Sequence, residues 1–458
     1  MEKSRKAPTL SASYKRWKTL VPYTYDWLAH HHTFWPSQSC RWGPKVEESN
    51  VRMRQLAYIS EQTDGKEEKN TLQIVCCDIV KNRVASVESI ATFDECMKSP
   101  LIKVQKTIYH PGEVNKIREL PQHPTIVVTH TDSPDLFVWD MARQPERAGD
   151  QSKEDSVPDM TLKGHTDTAQ FALSCSSAAP MVASGGMDTN VVVWNLEDSI
   201  LGSAGLRQRD GEALMAQSTL RGHENTVEDV CWQPGTANSI ASVGDDSKLL
   251  LWDLRSPEPC GKVENAHGEA TDIHCVDWSG ADPHFLATGC ANGVVRVWDT
   301  RMLGEVGASA VKSIAYHDKA VMRVEWSPSE RSVVASSAED QLVCVWRLDQ
   351  EASEKDRMGS SARNAVGRTI PPELLFQHAG HRAPVVDFQW NPLDPWLMLS
   401  VSDDVGGGMA GGTLQVWRLN DMIYRDPQEV LAELEAHRDF ILYGYDGPAD
   451  KEAASNQA

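Results

Sequence analysis

Short apolar runs rich in Val, Ile and Leu follow one another along most of the chain, separated by clusters of Gly, Asp, Asn and Ser. Runs of this kind, bounded by turn residues, read as β-strands. Six of them end alike: Trp139-Asp140, Trp194-Asn195, Trp252-Asp253, Trp298-Asp299, Trp346-Arg347 and Trp417-Arg418. A histidine precedes each tryptophan (His110, His165, His223, His267, His317 and His381), and in four cases the interval is 29 residues. Upstream, residues 55–60, 70–79 and 101–109 read as three more strands, with Cys76-Cys77-Asp78 standing where a Trp-Asp ending would fall. The pattern changes at both ends of the chain. Trp17, Leu20, Val21, Tyr25 and Leu28 carry helical spacing, which predicts a helix capped by Ser13 and running toward His30, kinked or divided at Pro22. A second amphipathic helix is predicted from about Pro427.

A strand-rich repeat of roughly 40 to 45 residues is the signature of a β-propeller of WD40 type. Six endings and one atypical unit give seven blades. The fold class expected is therefore all-β: a seven-bladed WD40 propeller over residues 37–421, an N-terminal helix and rim segment at 13–36, and a C-terminal segment with a short helix at 422–446. Residues 1–12 and 447–458 read as disordered. Insertions at 143–159, 198–217, 349–369 and 404–412 read as solvated loops, the last a glycine-rich hairpin tip. An open sheet edge invites pairing with other chains, so the ring needs a closing strand. Residues 37–43 are the candidate for part of it.

Composition narrows the function. The chain has 458 residues and a formal net charge of −20. That balance disfavours a general grip on nucleic acid, which needs clustered Lys and Arg, and favours basic partners. The ten cysteines show no C-x-x-C spacing, which fits reduced core thiols. No apolar secretory segment or bilayer-length run stands out, so a membrane partner is not expected.

Within the repeats a His, a Ser, an Asp and a Trp recur: His165, Ser184, Asp188, Trp194; His223, Ser242, Asp246, Trp252; and His317, Ser336, Asp340, Trp346. A lone Ser/His/Asp group would suggest a hydrolase. Repetition at constant spacing, always with Trp, points instead to a buried hydrogen-bond network bracing each blade. His30, His31 and His32 lack partners spaced for a metal shell and read as a helix end. No enzyme, cofactor, metal or small-molecule substrate is expected.

Several segments are not demanded by blade geometry: the N-terminal helix, Phe34-Trp35-Pro36-Ser37, the stretch His110 to Asn115, Ile370-Pro371-Pro372 with the residues up to His381, and Met422-Ile423-Tyr424. Over roughly residues 14–436 the chain resembles the histone-binding WD40 family that includes the retinoblastoma-binding histone chaperones and the MSI proteins. Residues 60–65 and 129–134, the glycine-rich hairpin and the ending after Ile423 look like its plant FVE branch. The resemblance implies two binding surfaces. A rim groove for a helix of histone H4 would have Trp17, Leu20, Tyr25 and Leu28 on one wall. Ile370, Pro371, Pro372, Glu373, Leu374 and Leu375 would form the other, with Ile423 and Tyr424 at the end. An axial face for the histone H3 tail would use Glu113, Asn115, Gln170, Phe171, Glu228, His274 and Met322.

Departures from the family pattern imply weaker binding at both surfaces. Residues 362–369, ahead of the Pro-Pro pair, are basic where the chaperones are acidic. On the axial face Gln170 stands near a family acid, Met322 replaces an aromatic and His274 replaces an asparagine. Trp252-Asp253 with Arg255 and Trp298-Asp299 with Arg301 resemble the boxes by which some propellers dock on the adaptor of cullin-RING ubiquitin ligases. The function expected is a non-catalytic, nuclear histone-binding subunit of histone deacetylase and Polycomb-type complexes, with a cytoplasmic pool also allowed. The alternatives are a ligase substrate receptor and a generic scaffold outside chromatin.

Overall fold

A tryptophan at the end of a strand can be sheltered only if another sheet packs against it, and all six are buried. The shelter is a ring. The computed structural model describes residues 12–63, 68–82, 90, 93–94, 99–149, 154–168, 171–200, 206, 212–303, 308–350, 369–403 and 411–444. Their strands form seven sheets, six of four antiparallel strands and one of five, antiparallel but for its outermost pair. The first blade comprises Cys40–Glu48, Arg52–Glu61, Thr71–Val80 and Ile102–Tyr109. Cys77 lies buried on its third strand. Asp78 accepts a bond from Arg54 across the sheet at 2.9 Å.

Ring closure differs from expectation. The N-terminal helix spans Ala12–Thr24 and stops just past Pro22. Pro22 has no N–H to donate back to the carbonyl of Lys18, and after two more residues the chain turns extended. Tyr25–His32, expected as helix, is instead a strand antiparallel to Thr413–Leu419. It completes the last blade, whose other strands are Val385–Trp390 and Leu397–Ser402. Residues 37–43, the candidate closing segment, lead into and begin the innermost strand of the first blade. The three consecutive histidines therefore lie on a strand, not at a helix end.

Two insertions expected as solvated loops cover sheet edges. Arg147 N donates to Thr107 O at 2.9 Å and Ser156 N to Tyr109 O at 2.8 Å, so the described parts of 143–159 run beside the outer strand of the first blade. From 198–217, Glu212–Met215 pairs in parallel with Met160–Lys163 as the fifth strand of the second blade. Most of 349–369 and 404–412 lies outside the described residues, as do the two chain ends expected to be disordered. The C-terminal helix is Pro427–Tyr443, capped by Asp426 and ended by Gly444 at φ 72°.

Candidate functional site

Tyr14, Trp17 and Val21 recur at helical spacing and are buried, which fixes the N-terminal helix to the rim. Trp17 Nε1 donates to Tyr25 Oη at 2.7 Å. The phenol O–H therefore donates to His378 Nδ1, 2.6 Å away. His378 Nε2 then donates to Gln415 Oε1 at 2.8 Å. The Gln415 amide donates to His30 Nδ1 at 3.0 Å and Gly380 O at 2.8 Å. Burial pushes the His378 pKa down to about 3 and, with His32 adding, that of His30 also to about 3. Both rings stay neutral, as the relay requires. His378 stacks flat on Trp417 at 4.3 Å. Gly380 is obligatory here, because a Cβ would meet Trp17 Cζ2 at 2.7 Å.

This arrangement revises the groove. Trp17, Tyr25 and Leu28, expected on its wall, are buried and attach the helix to the ring. Glu373 is paired with Lys312 at 3.1 Å, and Tyr424 stacks on Trp396 at 4.2 Å. Surface remains open at Leu20, 43% exposed, at Tyr23, 74% exposed, and at Met422. Ile370, Pro371, Pro372, Leu374, Leu375 and Ile423 are half-buried. The C-terminal segment is tied to the helix end by Asn420 N donating to Thr24 O at 2.9 Å. Tyr23 was missed because it falls outside the stripe that packs inward. The basic run 362–368 lies outside the described residues.

The axial mouth is built from bulges. In four consecutive blades the ladder between the innermost strand and the next skips one residue: Glu228, His274, Met322 and Val386. A bulge re-aims a side chain out of the sheet's alternation, and all four stay partly solvent-open at the start of their strands. Val386 had no sequence signal, because bulges leave none in an apolar run. Glu113 and Asn115 precede the innermost strand of the second blade, and Phe171, 41% exposed, precedes that of the third. Asn115 is buried, and Glu113 accepts from Gln62 Nε2 at 2.5 Å. Gln170 lies outside the described residues.

The mouth is acidic. Burial, then the charge of Asp245, pushes the Glu228 pKa up to about 7 against the pull of Lys116. Asp245 is itself raised by burial and by Asp272. Deeper in the channel Arg118 lies 3.4 Å from Asp387 and Arg323 lies 3.5 Å from Asp229. Burial alone would raise Asp387, but Arg41, Arg118, Lys116 and Arg323 outweigh it and hold the group well below the carboxylate range. These pairs join the innermost strands of different blades.

The repeated tetrads are structural braces. In the fourth blade His223 Nδ1 donates to Asp246 at 3.0 Å, Ser242 Oγ donates to His223 Nε2 at 2.7 Å, and Trp252 Nε1 donates to Ser242 Oγ at 2.8 Å. His317, Asp340, Ser336 and Trp346 repeat the geometry. In the third blade His165 holds Asp188 and Ser184 at 3.0 and 2.8 Å, but Trp194 donates to Lys163 O because His130 occupies Ser184 Oγ at 2.7 Å. In the two box motifs Arg255 folds back on Asp253 and Arg301 on Asp299, at 2.5 and 2.6 Å, beside the buried Trp252 and Trp298. They are short-range surface ion pairs within one turn.

A family model for the histone-binding protein RBBP4, or CAF1C of the CAF1 complex, matches residues 12–81, the span of the helix, the closing strand and three strands of the first blade. The WD domain, G-beta repeat, matches residues 156–195, 215–253, 259–299 and 309–347. WD-40 repeat-containing protein MSI4 of Arabidopsis thaliana is 45% identical over 96% of this chain and 88% of its own length. The chain belongs to the RBBP4/MSI family of histone-binding WD40 proteins. This family is generally non-enzymatic, and its helix-bearing N-terminal module is the part that closes the ring here. Of the sequence-predicted residues, Leu20 and the Pro-Pro segment stay open at the rim and Glu228, His274 and Met322 gather at the mouth. Trp17, Tyr25 and Leu28 form the support beneath.

Proposed function

We propose that this protein is a non-catalytic histone-binding subunit that presents histone segments to enzymes carried by other subunits. The acidic mouth, with Glu228 crowded by Asp245 and Asp272, carries this reading. A lysine or arginine laid there would relieve the repulsion and keep Glu228 ionised. The extended, basic H3 tail fits such a surface. The open residues Leu20, Tyr23 and Met422, beside the Pro-Pro segment, suit one face of an amphipathic H4 helix. Histone deacetylase and Polycomb-type complexes in the nucleus are the setting the family relationship favours. Binding at both surfaces is expected to be weaker than in the histone chaperones.

Calorimetry with separate H3-tail and H4-helix peptides tests both surfaces. Glu228→Lys is expected to weaken the tail peptide at least tenfold and spare the helix peptide, and Leu20→Asp to do the reverse. A tail affinity unmoved by Glu228→Lys rules out the mouth as its site.

A further inference from the structure

Phe34 and Trp35 belong to neither surface, yet Phe34 is 79% exposed. They stand in the connection between the closing strand and the first blade, walling a cavity with Tyr109, Glu61, Glu68 and Lys69. The Phe34 and Trp35 rings lie 5.8 Å apart at 74°, two nearly perpendicular walls. Their backbone is fastened: Phe34 N and Trp35 N donate to Glu61 Oε1 at 2.7 and 3.5 Å, and Gln62 N donates to Pro36 O at 2.9 Å. Gly411 backs the segment so closely that a Cβ there would meet Phe34 O at 2.4 Å. Among the described residues the one cation on the cavity wall, Lys69, is paired with Asp155 at 2.9 Å.

We propose that this aromatic pocket binds a methylated lysine of the basic tail lying across the axial face, preferring the trimethylated form to the free amine. Aromatic faces attract a quaternary ammonium held within about 6 Å. Glu61 supplies charge without an open acceptor, since Gln73 Nε2 at 2.6 Å and Thr71 Oγ1 at 3.5 Å take up its second oxygen. A carboxylate has about four acceptor positions, and here all are used. A free ammonium entering would lose water and find no acceptor left on Glu61, whereas a trimethylammonium needs none and gains the ring faces. Burial raises the Glu61 pKa, and a bound cation would restore its ionised form. The neighbouring cavity, which shares Lys69, includes Glu113, so the pocket adjoins the segment that borders the mouth.

The proposal rests on the tail-binding reading only for the source of the lysine, and the two can be separated. Ligand-observed NMR on the full chain would compare Nα-acetyl-trimethyllysine amide, Nα-acetyl-lysine amide and choline. The trimethylated probe is expected to bind about tenfold better than the free amine, and Phe34→Ala to weaken it about fivefold. Glu228→Lys is expected to leave probe binding intact while weakening an H3-tail peptide. Trimethylation of that peptide is expected to tighten it in the wild type and not in Phe34→Ala. Equal binding of the methylated and free-amine probes, or no effect of Phe34→Ala, overturns the pocket. Choline binding more tightly than every lysine-derived probe overturns the assignment to a peptide. Loss of tail binding alone, with probe selectivity retained, sinks the mouth and not the pocket.

Discussion

The last two strand endings read Trp-Arg where the others read Trp-Asp or Trp-Asn, and each arginine has a task at the closure. Arg347 donates to Tyr424 O at 3.0 Å, holding the C-terminal segment. Arg418 is almost completely buried and reaches Asp26 at 2.8 Å, Asp394 at 2.6 Å and Val80 O at 2.7 Å. One side chain thus joins the closing strand, its own blade and the next. Removing one partner of a buried charge group strands the others, so Arg418→Met should cost about 3–5 kcal/mol in urea unfolding. Glu228 shows the opposite economy. Its pKa is raised from 4.5 to about 7. Between those values the folded protein holds a proton the unfolded chain has released, and stability falls as pH rises through that window. Glu228→Gln should flatten this decline in pH-dependent melts and also weaken tail binding. The charge of Glu228 was legible in the sequence, and the family resemblance placed it on the axial face. The device that turns it there was not legible, because Glu228 is itself the residue the ladder skips and a bulge leaves no mark in the sequence.

Among the elements, the apolar runs that end in tryptophan were legible even where both faces are buried, as in Thr413–Leu419, whereas the strand that continues a helix's spacing and the strand inside a polar insertion were not. Tyr25–His32 is buried along most of its length, so the alternation that marks a strand is missing and its apolar residues happen to continue the spacing of the helix before it. The parallel strand Glu212–Met215 is too short to announce itself within a polar insertion. Truncation separates helix from strand. Removing residues 1–24 should leave a folded ring that loses the H4-helix peptide. Removing 1–36 should also expose the edge of Thr413–Leu419, seen as aggregation in size-exclusion chromatography and a fall in melting temperature. Gly380→Ala should loosen the helix without opening the ring, a smaller fall that calorimetry can resolve.

For the whole molecule, the net charge of −20 sets how partners arrive. Attraction between an acidic protein and a basic tail is screened beyond about 8 Å at physiological ionic strength. Tail binding at the mouth should therefore weaken steeply with added salt in fluorescence anisotropy, while the more apolar rim contact changes little. The repeat made the ring legible at this scale, since His, Trp and their spacing survive in every typical blade. The order of synthesis adds something further. Tyr25–His32 emerges early from the ribosome but has no sheet to join until Thr413–Leu419 has been made. Until then the aromatic cluster of Trp17, Tyr25, His378 and Trp417 cannot assemble. A nascent or truncated chain thus has nowhere to seat its first helix, and cargo that reads this rim would engage finished molecules alone.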